Sequence, residues 1–130
     1  MFLRRIREAE YRIYALATDG HCQVMDFLNQ QAKDDPAEFA KVQARLDQVS
    51  HNGTPHNREQ CNDLGNGCFE LKTKKSRITC FWDAGRMILC STMFLKQGQK
   101  TPKKVLAKLY ADKRQYEAEK AAEEKKGTKQ

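Results

Sequence analysis

"CFELKTKKSRITCFWDAGRMILCSTMFL", residues 68–95, is the stretch on which the fold turns. It divides into "CFELKTK" (68–74), "RITCFWD" (77–83) and "RMILCSTMFL" (86–95), separated by Lys75-Ser76 and Ala84-Gly85. Separators this short suit hairpins, so the stretch reads as three consecutive antiparallel strands, a meander. Side chains alternate across a strand, which sends Phe69 and Leu71 to one face and Glu70 and Lys72 to the other. Ile78, Cys80 and Trp82 form the core-facing set of the second strand. The third strand is apolar on both faces, which predicts a central place in the sheet.

Working outward, "EYRIYALATD" (10–19) alternates Tyr11, Ile13, Ala15 and Ala17 on one face and predicts a first strand. "GHCQVMDFLNQQAK" (20–33) places Val24, Phe27, Leu28 and Gln31 at helical spacing. "DDPAEFAKVQARLDQVSHNG" (34–53) predicts a second helix more clearly: Asp34 or Asp35 caps it, and Pro36 suits its first turn. Phe39, Val42, Leu46 and Val49 make its stripe, and Asn52-Gly53 ends it. These two helices form a hairpin packed on the sheet. Residues 54–67 are polar and rich in turn formers, so they read as a loop. The last helix starts with Thr101 as N-cap and Pro102 at the first helical position, with Val105, Leu106, Leu109, Tyr110 and Tyr116 along one side. The expected fold is therefore α+β: an antiparallel sheet with an N-terminal helical hairpin and a C-terminal helix. Residues 1–118 form one domain, and 119–130 a charged tail that frays or extends into solvent.

With 130 residues the chain suits a single modest core. No apolar run reaches membrane length and the N-terminus lacks a secretion signal, so a soluble, cytoplasmic protein without membrane attachment is expected. Five cysteines, with no CxxC pair and no regular spacing, suggest neither a disulfide framework nor a zinc site. The net charge of +7 is unevenly distributed: residues 96–130 hold eleven basic and five acidic groups, while residues 21–60 hold four basic and six acidic. That asymmetry favours an acidic partner, either nucleic acid or an acidic protein surface.

Candidates for chemistry narrow quickly. No Ser-His-Asp arrangement is visible; His51 and His56 flank the polar "NGTP" and His21 follows a turn glycine, and loop histidines are more often simply solvated than catalytic. "GNG" (65–67) lacks the GK[ST] that completes a phosphate loop. The basic residues are more suggestive. Lys72, Lys74, Lys75 and Arg77 flank the first hairpin turn, Lys96 ends the third strand, and Lys100, Lys103 and Lys104 follow it. Cations on an open sheet face would bind RNA phosphates and stabilise the charge that develops when a 2′-OH attacks the adjacent phosphorus, with no metal or cofactor required. The plainer reading, lysines on a solvated face, competes evenly on the residues alone.

The stretch Leu64, Gly67, Phe69, Glu70, Leu71, Lys72, then Arg77, Ile78, Phe81, then Phe94, Lys96, Lys100, Thr101, Pro102 resembles a known pattern. It is L-x-x-G-x-[YFW]-E-L-[RK], R-I-x-x-[FY], an apolar strand and F-x-K-x-x-x-K-T-P. This is similar to the RelE/ParE superfamily of bacterial toxins, in particular its phage-derived, HigB-like branch. The resemblance covers roughly residues 61–117. It implies a RelE-like, microbial-ribonuclease-type fold and a type II toxin that cleaves translated mRNA on the ribosome. A cognate protein antitoxin, of helix-turn-helix, HigA-like type, would hold it in check. Carried over, Lys72, Arg77, Lys96 and Lys100 take the catalytic positions, with Lys74, Lys75, Lys103 and Lys104 as further RNA contacts. Two departures stand out: Thr79 replaces an arginine common in relatives, and Gln97 replaces a second consecutive lysine. The catalytic tyrosine of some relatives has no counterpart here. Two other functions stay open: a ParE-like inhibitor of DNA gyrase, and a non-catalytic binding or regulatory member of the superfamily.

Overall fold

The computed structural model describes residues 1–128. Its elements are β1 (Phe2–Glu8), β2 (Arg12–Ala17), α1 (Gln23–Asp34), α2 (Pro36–Asn52), β3 (Cys61–Gly65), β4 (Cys68–Lys72), β5 (Ser76–Asp83), β6 (Met87–Leu95) and α3 (Lys103–Thr128). All six strands join one sheet in the order β1-β2-β6-β5-β4-β3. The meander β4-β5-β6 forms as expected, with Lys72 opposite Arg77 and Ile78 opposite Met93. β6 is interior, between β5 and β2.

The expected fold needs correction. The α+β character stands, but two strands precede the helical hairpin, and the sheet is mixed rather than antiparallel, because β2 runs parallel to β6. Parallel neighbours need a long crossover. Here α1 and α2 carry the chain from β2 over one face, and the meander begins at the far edge and steps back until β6 meets β2. Two strands escaped the sequence reading for different reasons. β1, "FLRRIRE", is an edge strand whose first five residue positions include four exposed ones in a row, so it shows no buried alternation. Its pairing with β2 is made by the backbone. β3, "CNDLG", lies inside the expected loop and is built from turn formers; it pairs with β4 from Cys61 to Gly65.

Two cores result. The larger lies between the sheet and the α1–α2 hairpin, where Ile13, Val24, Leu46, Ile78, Ile88 and Met93 are closed off from solvent. Burying each such side chain contributes about 1.5–3 kcal/mol. Asp35 caps α2 by accepting from the Glu38 N–H at 3.2 Å, and Gly53 ends it at φ 82°. A side chain at Gly53 would also meet the Tyr11 ring at 3.0 Å, so this position suits glycine twice over. The cysteines are all free thiols, with Cys80 and Cys90 buried opposite each other in β5 and β6.

The smaller core lies on the other face, where α3 lays Leu109 against Leu16, Cys68, Phe81 and Leu89. Polar ties fix the helix along its length. The buried Asp112 accepts from Ser91 and Lys108, each at 2.6 Å, and Asp83 accepts from Tyr116 at 2.6 Å and Lys120 at 2.7 Å. The N-terminal ammonium pairs with Glu119 at 2.9 Å. α3 runs without interruption through the expected boundary at 118/119, and residues 129–130 of the expected tail lie outside the described residues. Among the described residues, no helix is long and apolar enough to cross a membrane.

Candidate nucleic-acid interface

α3 covers only one end of its face of the sheet. Toward the other end, the alternation that puts Cys68 and Phe81 under the helix continues outward to Glu70, Lys72 and Arg77. The positions that would be apolar under a longer cover are charged. Lys72 and Arg77 are direct cross-strand partners, an arrangement that ordinarily destabilises a sheet. Local contacts absorb part of that cost. The Arg77 guanidinium donates to the carbonyls of Thr73 at 2.7 Å and Ser76 at 2.8 Å, and its Nε lies 4.0 Å from the Glu70 carboxylate. Glu70 itself is buried and accepts from the Thr101 hydroxyl at 2.7 Å.

This contact alters the reading of the α3 start. Thr101 fastens the helix entrance to β4 instead of capping, and the Pro102 carbonyl accepts from the N–H groups of Val105 and Leu106. The first helical residue is Lys103.

Around Lys72 and Arg77 opens a cleft of about 480 Å³ lined by six cations: Arg45, Arg58, Lys72, Lys74, Arg77 and Lys96. They come from α2, the 53–60 loop, β4, the β4–β5 turn, β5 and the end of β6. Glu59 is the one carboxylate in the lining. Among the described residues, Arg58, Lys72, Lys74 and Lys96 form no ion pair, so their charge is available to a ligand. Arg45 is half-buried and donates to the Lys72 carbonyl at 2.9 Å and to Gln48 at 2.6 Å. Burial pulls its pKa below the ordinary arginine value.

The eight expected contact residues therefore separate. Lys72, Lys74, Arg77 and Lys96 share the cleft. Lys100 lies in a small adjoining hollow with Glu70, Arg77, Lys96, Gln97 and Thr101. Lys75 is turned aside, its ammonium 3.0 Å from Asp35, which raises the Lys75 pKa. Lys103 and Lys104 are exposed on the first turn of α3, outside the cleft lining. Of the two departures noted in the sequence, Thr79 is fully buried, donating to the Thr92 carbonyl at 3.3 Å, while Gln97 lies in the Lys100 hollow.

Arg45 and Arg58 were missed because helix and loop positions carry no trace of what they face across the fold. Glu38 was missed for a different reason. Asp35-x-x-Glu38 has the spacing of a capping box, in which the glutamate would reach back to the cap. Here its carboxylate turns to the β4–β5 turn and accepts from the Thr73 and Ser76 hydroxyls, at 2.5 and 2.8 Å, and from the Lys75 N–H at 3.1 Å. Burial pushes the Glu38 pKa up, but those three donors together with Lys41 outweigh it and hold the carboxyl below the ordinary value. Glu38 thus anchors the turn whose carbonyls clamp Arg77.

Comparison with curated proteins returns no match. The family model for Phage derived protein Gp49-like (DUF891) matches residues 26–115, from α1 into α3, a span that contains all six cations of the cleft. Matched over most of its length, the chain belongs to the Gp49-like family of phage-derived proteins.

Proposed function

We propose that this chain is a toxin of the RelE/ParE superfamily, an endoribonuclease that cuts translated mRNA on the ribosome and is neutralised by a cognate protein antitoxin. The observation that carries the reading is the convergence of six cations on one cleft, of which, among the described residues, only Arg77 has a carboxylate partner, Glu70. A protein gains nothing in stability from crowding like charges; such a site suits a polyanion. In the cleavage step the substrate's 2′-oxygen forms a bond to the adjacent phosphorus as the bond from phosphorus to the 5′-oxygen breaks. The 2′-proton leaves and the 5′-oxygen takes one up. Arg77 and Lys72 stabilise the charge building on the phosphoryl oxygens, and Arg45, Arg58, Lys74 and Lys96 hold the flanking strand. Glu70, buried against Thr101 and Arg77, orients the guanidinium. The family assignment supports a toxin with an antitoxin partner.

The test is purified protein incubated with programmed ribosomes and a defined message, with 5′-end mapping of the products. Cuts inside translated codons that disappear in Arg77→Ala support the reading. Tight RNA binding without any cut would point to a non-catalytic member. Intact RNA with topoisomerase-dependent DNA breaks would replace the reading with gyrase inhibition.

A further inference from the structure

Beside the basic cleft lies a second hollow, of about 610 Å³, between α1 and the end of β6. Its volume falls in the range of small-ligand pockets, about 300–1,000 Å³. Lys74 and Lys96 line both spaces, so the hollow adjoins the cleft. Its floor is apolar. Phe27 is half-buried, and Leu95 leaves 52% of its surface in solvent although it ends an interior strand. Its lining also brings two carboxylates: the exposed Asp34, which accepts from the Gln30 amide at 3.0 and 3.1 Å, and Asp35, paired with Lys75, which lines the hollow as well.

These features match the two halves of a nucleotide. Ammonium groups shared with the cleft suit a phosphate, and an apolar floor suits the faces of a base. Carboxylates in the lining accept hydrogen bonds from an amino-bearing edge. We propose that this hollow receives one nucleobase of the RNA strand lying in the cleft, and that Asp34 makes it favour a base with an exocyclic amine. Uracil is disfavoured there, because its pairing edge sets two carbonyl oxygens beside its single N–H, facing the carboxylate. The inference rests on the reading of the cleft as an RNA site. A polar hollow on the other side, around His56 and Asn62, shares only Arg58 with the cleft and has no comparable apolar floor.

The experiment measures binding of fluorescein-labelled 2′-O-methyl oligo-A, oligo-C and oligo-U, which resist 2′-OH cleavage, by anisotropy. The wild-type chain should bind oligo-A or oligo-C about tenfold tighter than oligo-U, the size of discrimination one good base-edge contact provides. Asp34→Asn should reduce that ratio to about threefold or less, with oligo-U binding tighter than in the wild-type chain because an amide in place of the carboxylate can donate to the uracil carbonyls. It removes a carboxylate from the last residue of α1, where the helix dipole does not favour one, so folding is retained. Leu95→Ser should weaken all three oligonucleotides, and Lys96→Ala should weaken all three with the ratio preserved. A wild-type chain that binds RNA in a salt-dependent way, with a ratio Asp34→Asn does not change, overturns the base pocket and leaves the RNA reading standing. No RNA binding at all overturns both. If Asp34→Asn and Leu95→Ser instead weaken a purified antitoxin and spare the RNA ratio, the hollow belongs to a protein partner and the proposal fails.

Discussion

The two ends of the α3-facing side of the sheet are built from the same strands and carry opposite chemistry. At one end Cys68, Phe81 and Leu89 meet Leu109 and are closed off from water. At the other, Lys72 and Arg77 stand side by side under no helix. The β4–β5 pairing runs unbroken from Cys68 and Phe81 to Lys72 and Arg77, while the β5–β6 register shifts between Thr79 and Cys80. What distinguishes them is where α3 begins. Thr101 bonds Glu70 at the boundary, and the helix runs from there over the apolar end. The covered end holds the fold together; the open end carries charge that stability alone would not select.

Substitutions at the two ends should separate accordingly. The largest effect belongs to the covered end: Leu109→Ala empties a fully buried position and should lower stability by about 2–5 kcal/mol in urea unfolding. If Leu109→Ala leaves the midpoint in place, α3 is not a structural layer and the contrast collapses.

Next comes Glu38→Gln, which weakens the carboxylate anchor of the β4–β5 turn and should cost about 1–3 kcal/mol at neutral pH. Its pH dependence sharpens the point. The folded Glu38 carboxyl sits below its ordinary value, so its contribution is present above the unfolded pKa and is lost as pH falls through the folded one. Wild-type stability should therefore fall below about pH 5, and the gap between wild type and Glu38→Gln should close over the same interval. A gap that stays constant down to acid-unfolding conditions would mean the anchor is not ionic.

At the open end, stability and function should part. Lys96→Ala should reduce RNA cleavage by roughly tenfold while leaving stability within about 0.5 kcal/mol, the usual range for surface substitutions. Its effect should exceed that of Lys100→Ala. The Lys96 backbone is tied to the Lys75 carbonyl at 2.8 Å and its side chain lines the cleft, whereas Lys100 lies in the adjoining hollow. Each cleft cation removed should also lower the salt dependence of RNA binding by about 0.7 in the log–log slope. Lys103→Ala and Lys104→Ala, on the exposed first turn of α3, should have the smallest effects. Equal small losses at Lys96, Lys100, Lys103 and Lys104 would reduce the cleft to a diffuse positive field.

Much of this molecule is local and was readable. Period-two alternation placed Phe69 and Leu71 opposite Glu70 and Lys72, and helical spacing placed Val42, Leu46 and Val49 on the core. The Pro36 and Gly53 boundaries of α2 follow from backbone preferences that need no neighbours. Other features depend on distant parts of the chain. β1 is a strand because β2 offers it a hydrogen-bonding edge, and its exposed arginines leave no periodic signal. The parallel β2–β6 contact depends on how far the helical hairpin carries the chain, which residue pattern does not encode. Glu38 has the spacing of a capping residue, but the nearby hydroxyls of Thr73 and Ser76 compete successfully for its carboxylate.

The candidate site shows the same division. Sequence alone determined which strands carry Lys72 and Arg77 and which strand Lys96 follows, because alternation and turn chemistry act over a few residues. Tertiary structure alone decided that Arg45 and Arg58 join them and that Lys75 is drawn away to Asp35. It also decided that α3 stops short enough to leave the cleft open. Those outcomes are distances between segments far apart in the chain, and electrostatic and packing energies depend on distance in space rather than on separation in sequence.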